Sequence, residues 1–515
     1  RCIHRPEHID QTRAGLARCT YEEAFVLQTI LAMRRRAASA RPATARTGTA
    51  GGLADVILER LSFTLTQGQQ DAIAAIRTDL AAPTPMQRLL HGEVGAGKTL
   101  VALLAMATVV DSGGQAVLLA PTETLAQQHF TGITAMLGEF AQAGMLAGDP
   151  RGTQVVLLTG SQNSATRKDA LLKIMSGQAG IAIGTHALLN DKVQFADLGL
   201  VVVDEQHRFG VEQRAALLER GAQDIRPHLL VMTATPIPRT VAMTVFGDLD
   251  VTTLKELPQG RAGTSTFVVD ESRAPRHAER MWQRVVEEVR QGRKVYVVCP
   301  RIGDEERGAD TQPETTRGVL LTAQALADKE LSTVRVGLMH GRMPSAEKTD
   351  AMRRFAAPAT DADALDVLVA TSVIEVGVDV PAASMMIVLD AESFGLSQLH
   401  QLRGRVGRGS APGLCLLATR NPAARARLEQ VAGTTNGFDL ARVDLQTRKE
   451  GDVLGTAQSG RLTSLRLLRV VRDEQIIEQA RADVADLFER DPDLREHRAL
   501  RAMVNRWQSE YVEKS

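Results

Sequence analysis

The sequence predicts an α/β protein of two tandem lobes, each a parallel sheet covered on both faces by helices, followed by a small, mainly helical C-terminal region. Three observations carry that prediction. Short β-branched runs alternate with longer helical stretches from residue 85 to about residue 420. The runs are continuously apolar, as strands buried on both faces must be, rather than alternating apolar with polar. The series also occurs twice, on either side of a Pro- and Gly-containing connection at residues 258–263.

The chain has 515 residues, which suits roughly three domains at about 150 residues each. Its 44% hydrophobic and 24% charged shares exclude wholesale disorder and a fibrous repeat. The 61 basic residues balance 61 acidic ones, so a polyanion has to be met by local basic surface rather than by a global field. Four cysteines, Cys2, Cys19, Cys299 and Cys415, form no C-x-x-C pair. They signal neither a zinc ribbon nor a disulfide framework, and reduced cytosolic thiols are expected. The longest apolar run, residues 100–110, is shorter than the ~18 residues a membrane span needs, and the charged N-terminus lacks a signal-peptide core. A soluble intracellular protein is expected, and Arg1 in place of an initiator Met suggests a fragment.

In chain order, residues 21–36 place Phe25, Leu27, Ile30, Leu31 and Met33 at near-helical spacing and end on basic residues, which predicts one helix. Residues 37–52 are rich in Ala, Arg, Thr and Gly and lack periodicity. They are expected to form a flexible, solvated basic linker, with arginine contacts to DNA as the alternative. First-lobe strands are expected at 87–90, 117–119, 155–158, 181–183, 200–203 and 229–232, within a lobe spanning 60–255. Second-lobe strands are expected at 267–269, 295–299, 334–338, 367–370, 385–389 and 414–417, within 256–420. Residues 421–515 show few strand signals, several helical stretches and a Gly-rich turn at 451–460.

Chemistry concentrates after the first strand. Gly92-Glu93-Val94-Gly95-Ala96-Gly97-Lys98-Thr99 fits G-x-x-x-x-G-K-[ST] between an apolar strand and a helical run. Its glycines let backbone N–H groups and the helix N-terminus face phosphates, Lys98 reaches the β/γ oxygens, and Thr99 offers a hydroxyl to Mg²⁺. The bland alternative is a Gly-rich turn that merely opens a helix. A nucleoside triphosphatase also needs an acidic pair at another strand end, and Val203-Asp204-Glu205-Gln206-His207 supplies it. Asp204 suits Mg²⁺ through its waters, and Glu205 suits orientation and deprotonation of the attacking water. Upstream, Phe63 offers a ring for stacking on a base and Gln69 an amide for its edge, although spacing alone favours a helix N-terminus capped by Thr66. Thr233-Ala234-Thr235 follows a strand and offers two hydroxyls near the acidic pair; unaided it reads as a turn. In the second lobe, Gln401, Arg405 and Arg408 are spaced to place two guanidiniums on one surface, where they would stabilise charge on a transferring phosphoryl group. A plain basic face is the alternative. Gly377 and Asp379 follow the 367–370 strand, and Asp379 suits a ribose hydroxyl. His4 and His8 are split by Pro6 and have no further ligands nearby, so no metal site is expected there.

Taken in order, this set resembles the superfamily-two helicases. The longer runs Asp204-Glu205-Gln206-His207-Arg208-Phe209-Gly210-Val211, Thr233-Ala234-Thr235-Pro236-Ile237-Pro238-Arg239 and 398–409 resemble the bacterial RecG family of branch-migration helicases, over about residues 60–470. The resemblance implies two tandem RecA-like P-loop domains, ATP hydrolysis with Mg²⁺, and translocation along duplex DNA that regresses stalled forks and migrates Holliday junctions in repair and recombination. It also implies a monomer in the nucleoid-containing cytoplasm, with branched and duplex DNA as partner, single-stranded DNA-binding protein as a further candidate partner, and no membrane.

By the same resemblance, Phe63 and Gln69 are adenine readers, Gly92 to Thr99 the phosphate loop, Asp204 and Glu205 the metal and water residues, and Arg405 and Arg408 the paired finger arginines beside Gln401, Gly377 and Asp379. Pro121, Thr122, Gly184, Thr185 and His186 match first-lobe DNA motifs, and Arg342 and Thr371 their second-lobe partners. Thr233 and Thr235 are placed between nucleotide and DNA. Small and hydroxyl residues suit such contacts because their donors grip phosphates without reading bases. Residues 444–460 resemble the family's translocation motif, with Arg427, Arg448 and Gln458 at its polar positions. Lys449-Glu450 and Ala457 depart from the family pattern, which leaves the loop's DNA contacts open. Residues 1–59 read as the end of a wedge domain, a helix and the linker, so junction specificity is expected to be weak. A transcription-repair coupling translocase shares the Phe-Gly-Val and Pro-Ile-Pro-Arg runs, but His207 and the lack of an RNA-polymerase-binding module favour RecG. A non-hydrolysing nucleotide-gated DNA scaffold is disfavoured by Glu205, Arg405 and Arg408.

Overall fold

The computed structural model describes residues 8–144, 148–205, 225–234, 249–254, 256, 263–300, 318–371, 380–409, 411–434, 436–447, 467–469 and 472–512. The first lobe contains β1 (Gln87–Gly92), β2 (Gln115–Leu119), β3 (Gln154–Leu158), β4 (Ala179–Gly184), β5 (Leu198–Asp204), β6 (His228–Thr233) and β7 (Asp250–Leu254). They pair in the order β3-β4-β2-β5-β6-β1-β7, every pair parallel. Alternate residues go to opposite faces. Leu90, Leu118, Val202, Leu230 and Met232 pack with α2 (Leu53–Glu59), α3 (Gln67–Leu80) and α4 (Lys98–Asp111), while Leu89, Val117, Val201, Val203 and Val231 pack on the other side. The apolar run after the phosphate loop is α4, with every residue from Leu100 to Val109 buried. At ~1.5–3 kcal/mol per buried Leu, Val or Met, the helix that carries Lys98 is firmly seated.

The second lobe repeats the plan. Its strands β8 (Thr264–Asp270), β9 (Lys294–Val298), β10 (Val336–Met339), β11 (Val367–Ala370), β12 (Ala383–Val388) and β13 (Gly413–Thr419) pair in parallel in the order β10-β11-β9-β12-β13-β8. One face buries Tyr296, Leu368, Met386 and Leu417; the other buries Val295, Val297, Val369 and Ile387. Helices Arg425–Gly433, Gly437–Thr447, Glu474–Arg490 and Arg498–Val512 follow.

Three features differ from the sequence expectations. The amino-terminal helix α1 (Ile9–Ser39) starts well before residue 21, because its first turns are polar and carry no apolar stripe. It packs Ala24, Leu27 and Leu31 against Ile477 and Ala480, and Val26 and Ile30 against Val504, so the two ends of the chain form one helical unit. Strand β7 was not expected; it is a partly exposed edge strand, Asp-Val-Thr-Thr-Leu, without a continuous apolar run.

The third difference corrects the flexible solvated linker at residues 37–52, whose later part is fastened to the first lobe. Arg46 is 3% exposed and bonds Asp197 at 2.6 Å, Gly48 N–H donates to Ser112 Oγ, and the Thr49 hydroxyl donates to the Asp111 carbonyl. Such bonds to loops and helix ends leave no periodic trace in sequence. The strap leads into α2, whose first two N–H groups, Leu53 and Ala54, donate to the Asp111 carboxylate at 2.7 and 3.0 Å. Asp111 thus caps one helix from the end of another, and a Cβ on Gly52 would meet its carboxylate at 2.6 Å. Asp111→Ala is expected to cost about 1 kcal/mol, the usual worth of a helix cap, measured by denaturant unfolding.

Candidate functional site

Strand order builds the site. β6 lies between β1 and β5, and strands stand about 4.8 Å apart, so the carboxyl ends of β1 and β5 sit roughly 10 Å apart with the end of β6 between them. The phosphate loop leaves β1, the acidic pair leaves β5, and Thr233-Ala234 leaves β6. This is the rim where ligands bind in parallel α/β sheets.

The loop is shaped by backbone rather than side chains. Gly95 and Gly97 have φ of 83° and 86°, and α4 starts at Lys98. A Cβ at Gly97 would lie 2.3 Å from Gln69 Nε2, so glycine is required there by close approach as well as by dihedral. Gln69 is committed from behind. Its Oε1 accepts from Thr66 N–H in a capping box, and its Nε2 donates to the Ala96 carbonyl at 2.9 Å. Gln69 is only 1% exposed, so in this structure it braces the loop instead of presenting its amide as an adenine reader, while Phe63 is 51% exposed on the approach to α3.

Lys98 Nζ donates to the Gly92 and Glu93 carbonyls, each at 2.8 Å. Burial lowers its pKa to about 8, opposed by Glu205 and Asp204 and assisted by Arg405 and Arg408. The second-lobe guanidiniums therefore lie within electrostatic reach of the first-lobe lysine. Glu205 has φ of 52°, a left-handed conformation that a non-glycine residue adopts at a cost of about 1–3 kcal/mol. Its N–H donates to the Met232 carbonyl, and its Oε1 accepts from Ala234 N–H at 3.2 Å. Burial and neighbouring Asp204 raise its pKa to about 7, against the pull of Lys98. A carboxyl poised near neutrality suits a general base. Asp204 Oδ2 bonds His129 Nε2 at 2.8 Å, with both side chains largely buried.

The Asp204 carboxylate and the Thr99 hydroxyl are hard oxygen donors of the kind Mg²⁺ takes. Among the described residues no group of three or more His, Cys, Asp or Glu gathers to hold a metal. An ion at this rim would complete its shell with phosphate oxygens and water, which fits Mg²⁺ arriving with ATP.

The second lobe and the helix after it meet the end of β1 and the loop in four contacts. A Cβ on Gly404 would stand 3.3 Å from Val94 Cβ. Glu93 Oε1 accepts from Gly437 N–H at 2.7 Å and lies 3.7 Å from His400 Nε2. The His91 ring meets Phe438 edge-on at 4.7 Å. Burial and Arg403 push His400 down to about 4, so it is neutral near pH 7 and its Nδ1 accepts from Arg403 Nη2 at 2.6 Å. Arg408 Nε donates to the Gly404 carbonyl at 2.9 Å, tying its guanidinium to the turn that touches the loop.

Comparison with known proteins gives this arrangement its family. Residues 66–244 match the DEAD/DEAH box helicase family, 278–410 the helicase conserved C-terminal domain, and 434–509 the ATP-dependent DNA helicase RecG, domain 3, C-terminal. The ATP-dependent DNA helicase RecG of Mycobacterium tuberculosis is 48% identical over 526 aligned positions, covering 100% of this chain and 70% of that protein. The chain belongs to the RecG family of ATP-dependent DNA helicases. A Synechocystis RecG is 40% identical over 98% of this chain and 58% of its own length. The solved structure of RecG bound to a three-way DNA junction is 34% identical and superposes with a TM-score of 0.69, over 92% of this chain and 57% of that one. Mss116p, bound to single-stranded RNA and AMP-PNP, shares only the fold, at 16% identity and a TM-score of 0.53. The domain 3 match at 434–509 favours the RecG family over a transcription-repair coupling translocase. No helix among the described residues is long and apolar enough to cross a membrane.

The other motif residues are placed unevenly. Thr122 caps α5 (Glu123–Leu137) by accepting from Leu125 N–H, beside half-buried Pro121. His186 and Arg342 are exposed, whereas Gly184, Thr185, Thr233 and Thr371 are buried, so those three hydroxyls do not face an open surface here. Gln401 is half-buried on helix Leu396–Arg403. Arg427 donates to the Glu392 and Phe394 carbonyls at 3.1 and 2.9 Å, bracing the turn before that helix. Thr235, Gly377, Asp379, Arg448 and Gln458 lie outside the described residues.

Sequence reasoning missed His129, His91, His400 and Phe438. One signal existed for His129: it stands seven positions after Thr122, two turns along α5 on the same face. The pairing of Glu93 with Gly437 spans 344 positions and leaves no local trace.

Proposed function

We propose that this chain is the motor of a RecG helicase, which couples ATP hydrolysis to movement along duplex DNA and thereby regresses stalled forks and migrates Holliday junctions, acting as a monomer. The observation that supports it most is the convergence of two lobes on one loop, where Gly404, in the turn that carries Arg405 and Arg408, abuts Val94 of the loop that leads to Lys98. The RecG relative solved on a three-way junction supports branched DNA as partner.

In this reading the loop N–H groups and Lys98 bind the triphosphate, and Glu205 takes a proton from the attacking water. Arg405 and Arg408 stabilise charge on the transferring phosphoryl group, beside Gln401. Mg²⁺, held through Thr99 and Asp204, would neutralise charge on the β- and γ-phosphates. Phe63 covers the base. Thr122, His186 and Arg342 grip DNA phosphates from the two lobes, with Pro121 shaping the turn before Thr122. Because Glu93 carries the N-terminus of helix Gly437–Thr447, a change in the phosphate loop reaches the translocation segment directly.

The test is ATP turnover on forked duplex, linear duplex and single-stranded DNA at one stated salt concentration, since phosphate contacts make affinity salt-dependent. Duplex-containing DNA is expected to stimulate turnover several-fold more than single strands, with the fork at least equal to the linear duplex. Stimulation by single strands alone, or by none of the three, refutes duplex translocation.

A further inference from the structure

We propose that His129 is a positioning residue of the ATPase. It holds the Asp204 carboxylate and links it to α5, the helix whose N-terminus carries Thr122. The inference rests on the proposed roles of Asp204 toward Mg²⁺ and of Pro121 and Thr122 toward DNA.

The geometry is specific. His129 Nε2 and Asp204 Oδ2 are 2.8 Å apart, at side-chain exposures of 12% and 13%, so the bond is shielded from competing water. Asp204 is the last residue of β5 and has little freedom in its backbone, but a carboxylate at a strand end turns about its own side-chain torsions unless something fixes it. A ring N–H on one oxygen fixes it. Carboxylates and imidazoles that orient metal-site groups in this way typically contribute 10–100-fold to metal affinity or activity.

The same bond runs between two proposed sites. Thr122 is the N-cap of α5, and His129 follows on the same face two turns later. α5 is a rigid strut: Leu125, Ala126, Ile133 and Leu137 are buried along it, and Glu123 Oε1 in its first turn accepts from Ser161 N–H. A DNA phosphate pulling on the helix N-terminus therefore moves His129, and with it the rotamer of Asp204. This gives a direct physical route from duplex contact to the arrangement of the hydrolytic site.

The experiment uses the full chain with His129→Ala, His129→Leu and His129→Gln. Binding of a fluorescent non-hydrolysable ATP analogue is titrated with Mg²⁺, which requires no turnover, and ATP turnover is measured with and without forked duplex. His129→Ala and His129→Leu are expected to raise the Mg²⁺ midpoint about tenfold and to cut the stimulation by DNA about tenfold. Analogue binding without Mg²⁺ and the thermal midpoint should stay near wild type. His129→Gln keeps an amide donor for Asp204 and should recover both readouts. Wild-type values in His129→Ala and His129→Leu overturn the proposal, as does a His129→Gln variant no better than His129→Leu. Should the apolar variants fail to fold, His129→Gln is compared with His129→Asn, whose amide falls one methylene short; equal behaviour of these two also overturns it. Failure of the underlying reading is separate: wild-type turnover then shows no response to duplex, whereas the Mg²⁺ midpoint still reports on His129 and Asp204.

Discussion

Arg408→Ala is expected to lower ATP turnover by about 10³–10⁵-fold, or roughly 4–7 kcal/mol of barrier, while leaving equilibrium ATP binding largely intact. Charge on the phosphoryl oxygens grows only as the bond to the leaving group breaks, so a guanidinium aimed there acts on the barrier more than on the bound ground state. Two contacts bear on this proposed role. Arg408 Nε is tied to the Gly404 carbonyl, and Gly404 abuts Val94 of the phosphate loop. Arg408→Lys should recover little, because an ammonium lacks the planar fork. Single-turnover hydrolysis measured beside nucleotide affinity checks the outcome. Weakened affinity with normal single-turnover hydrolysis would remove Arg408 from the finger role.

Glu205→Gln is the second large effect, with turnover expected to fall about 10²–10⁴-fold through loss of the general base. The same change should stabilise the ligand-free protein above neutral pH. The folded pKa of Glu205, about 7, lies above the ordinary carboxyl value of 4.5, chiefly through burial. A raised carboxyl pKa means that this group's contribution to stability is fully present below 4.5 and is lost as pH rises through 7. Glutamine has no charge to bury, so the variant should unfold at a higher temperature than wild type at pH 8 and at a similar one at pH 4. Loss of turnover without that pH-dependent gain would place the carboxyl in a less demanding environment. The left-handed backbone at Glu205 is unaffected by the exchange, so the comparison isolates the charge.

Legibility in the sequence followed the range of the forces involved. Strands buried on both faces announce themselves as unbroken apolar runs, so residues 200–203 and 229–232 were visible and β7 was not. The phosphate loop and acidic pair were visible because their chemistry fixes residue types over a few consecutive positions. The order of the strands was hidden, and with it the fact that Ala234 stands between the two motifs and donates to Glu205. The strap at Arg46 was hidden because a buried arginine and a solvated one read alike until Asp197, 151 positions away, is brought beside it. Family resemblance proposed roles that spacing could not, while the bonds of the Gln69 amide to Thr66 and Ala96 were hidden from both.

The helix Gly437–Thr447 begins on the Glu93 carboxylate, and the N–H groups of Leu467 and Leu468 share the Glu23 carboxylate at 2.8 and 2.7 Å. Two glutamates thus moor backbone in the C-terminal region, one from the phosphate loop and one from the amino-terminal helix. Both moorings hold backbone N–H groups rather than side chains, so exchanging the side chain of Leu467 or Leu468 leaves its anchor in place, whereas losing either carboxylate releases it.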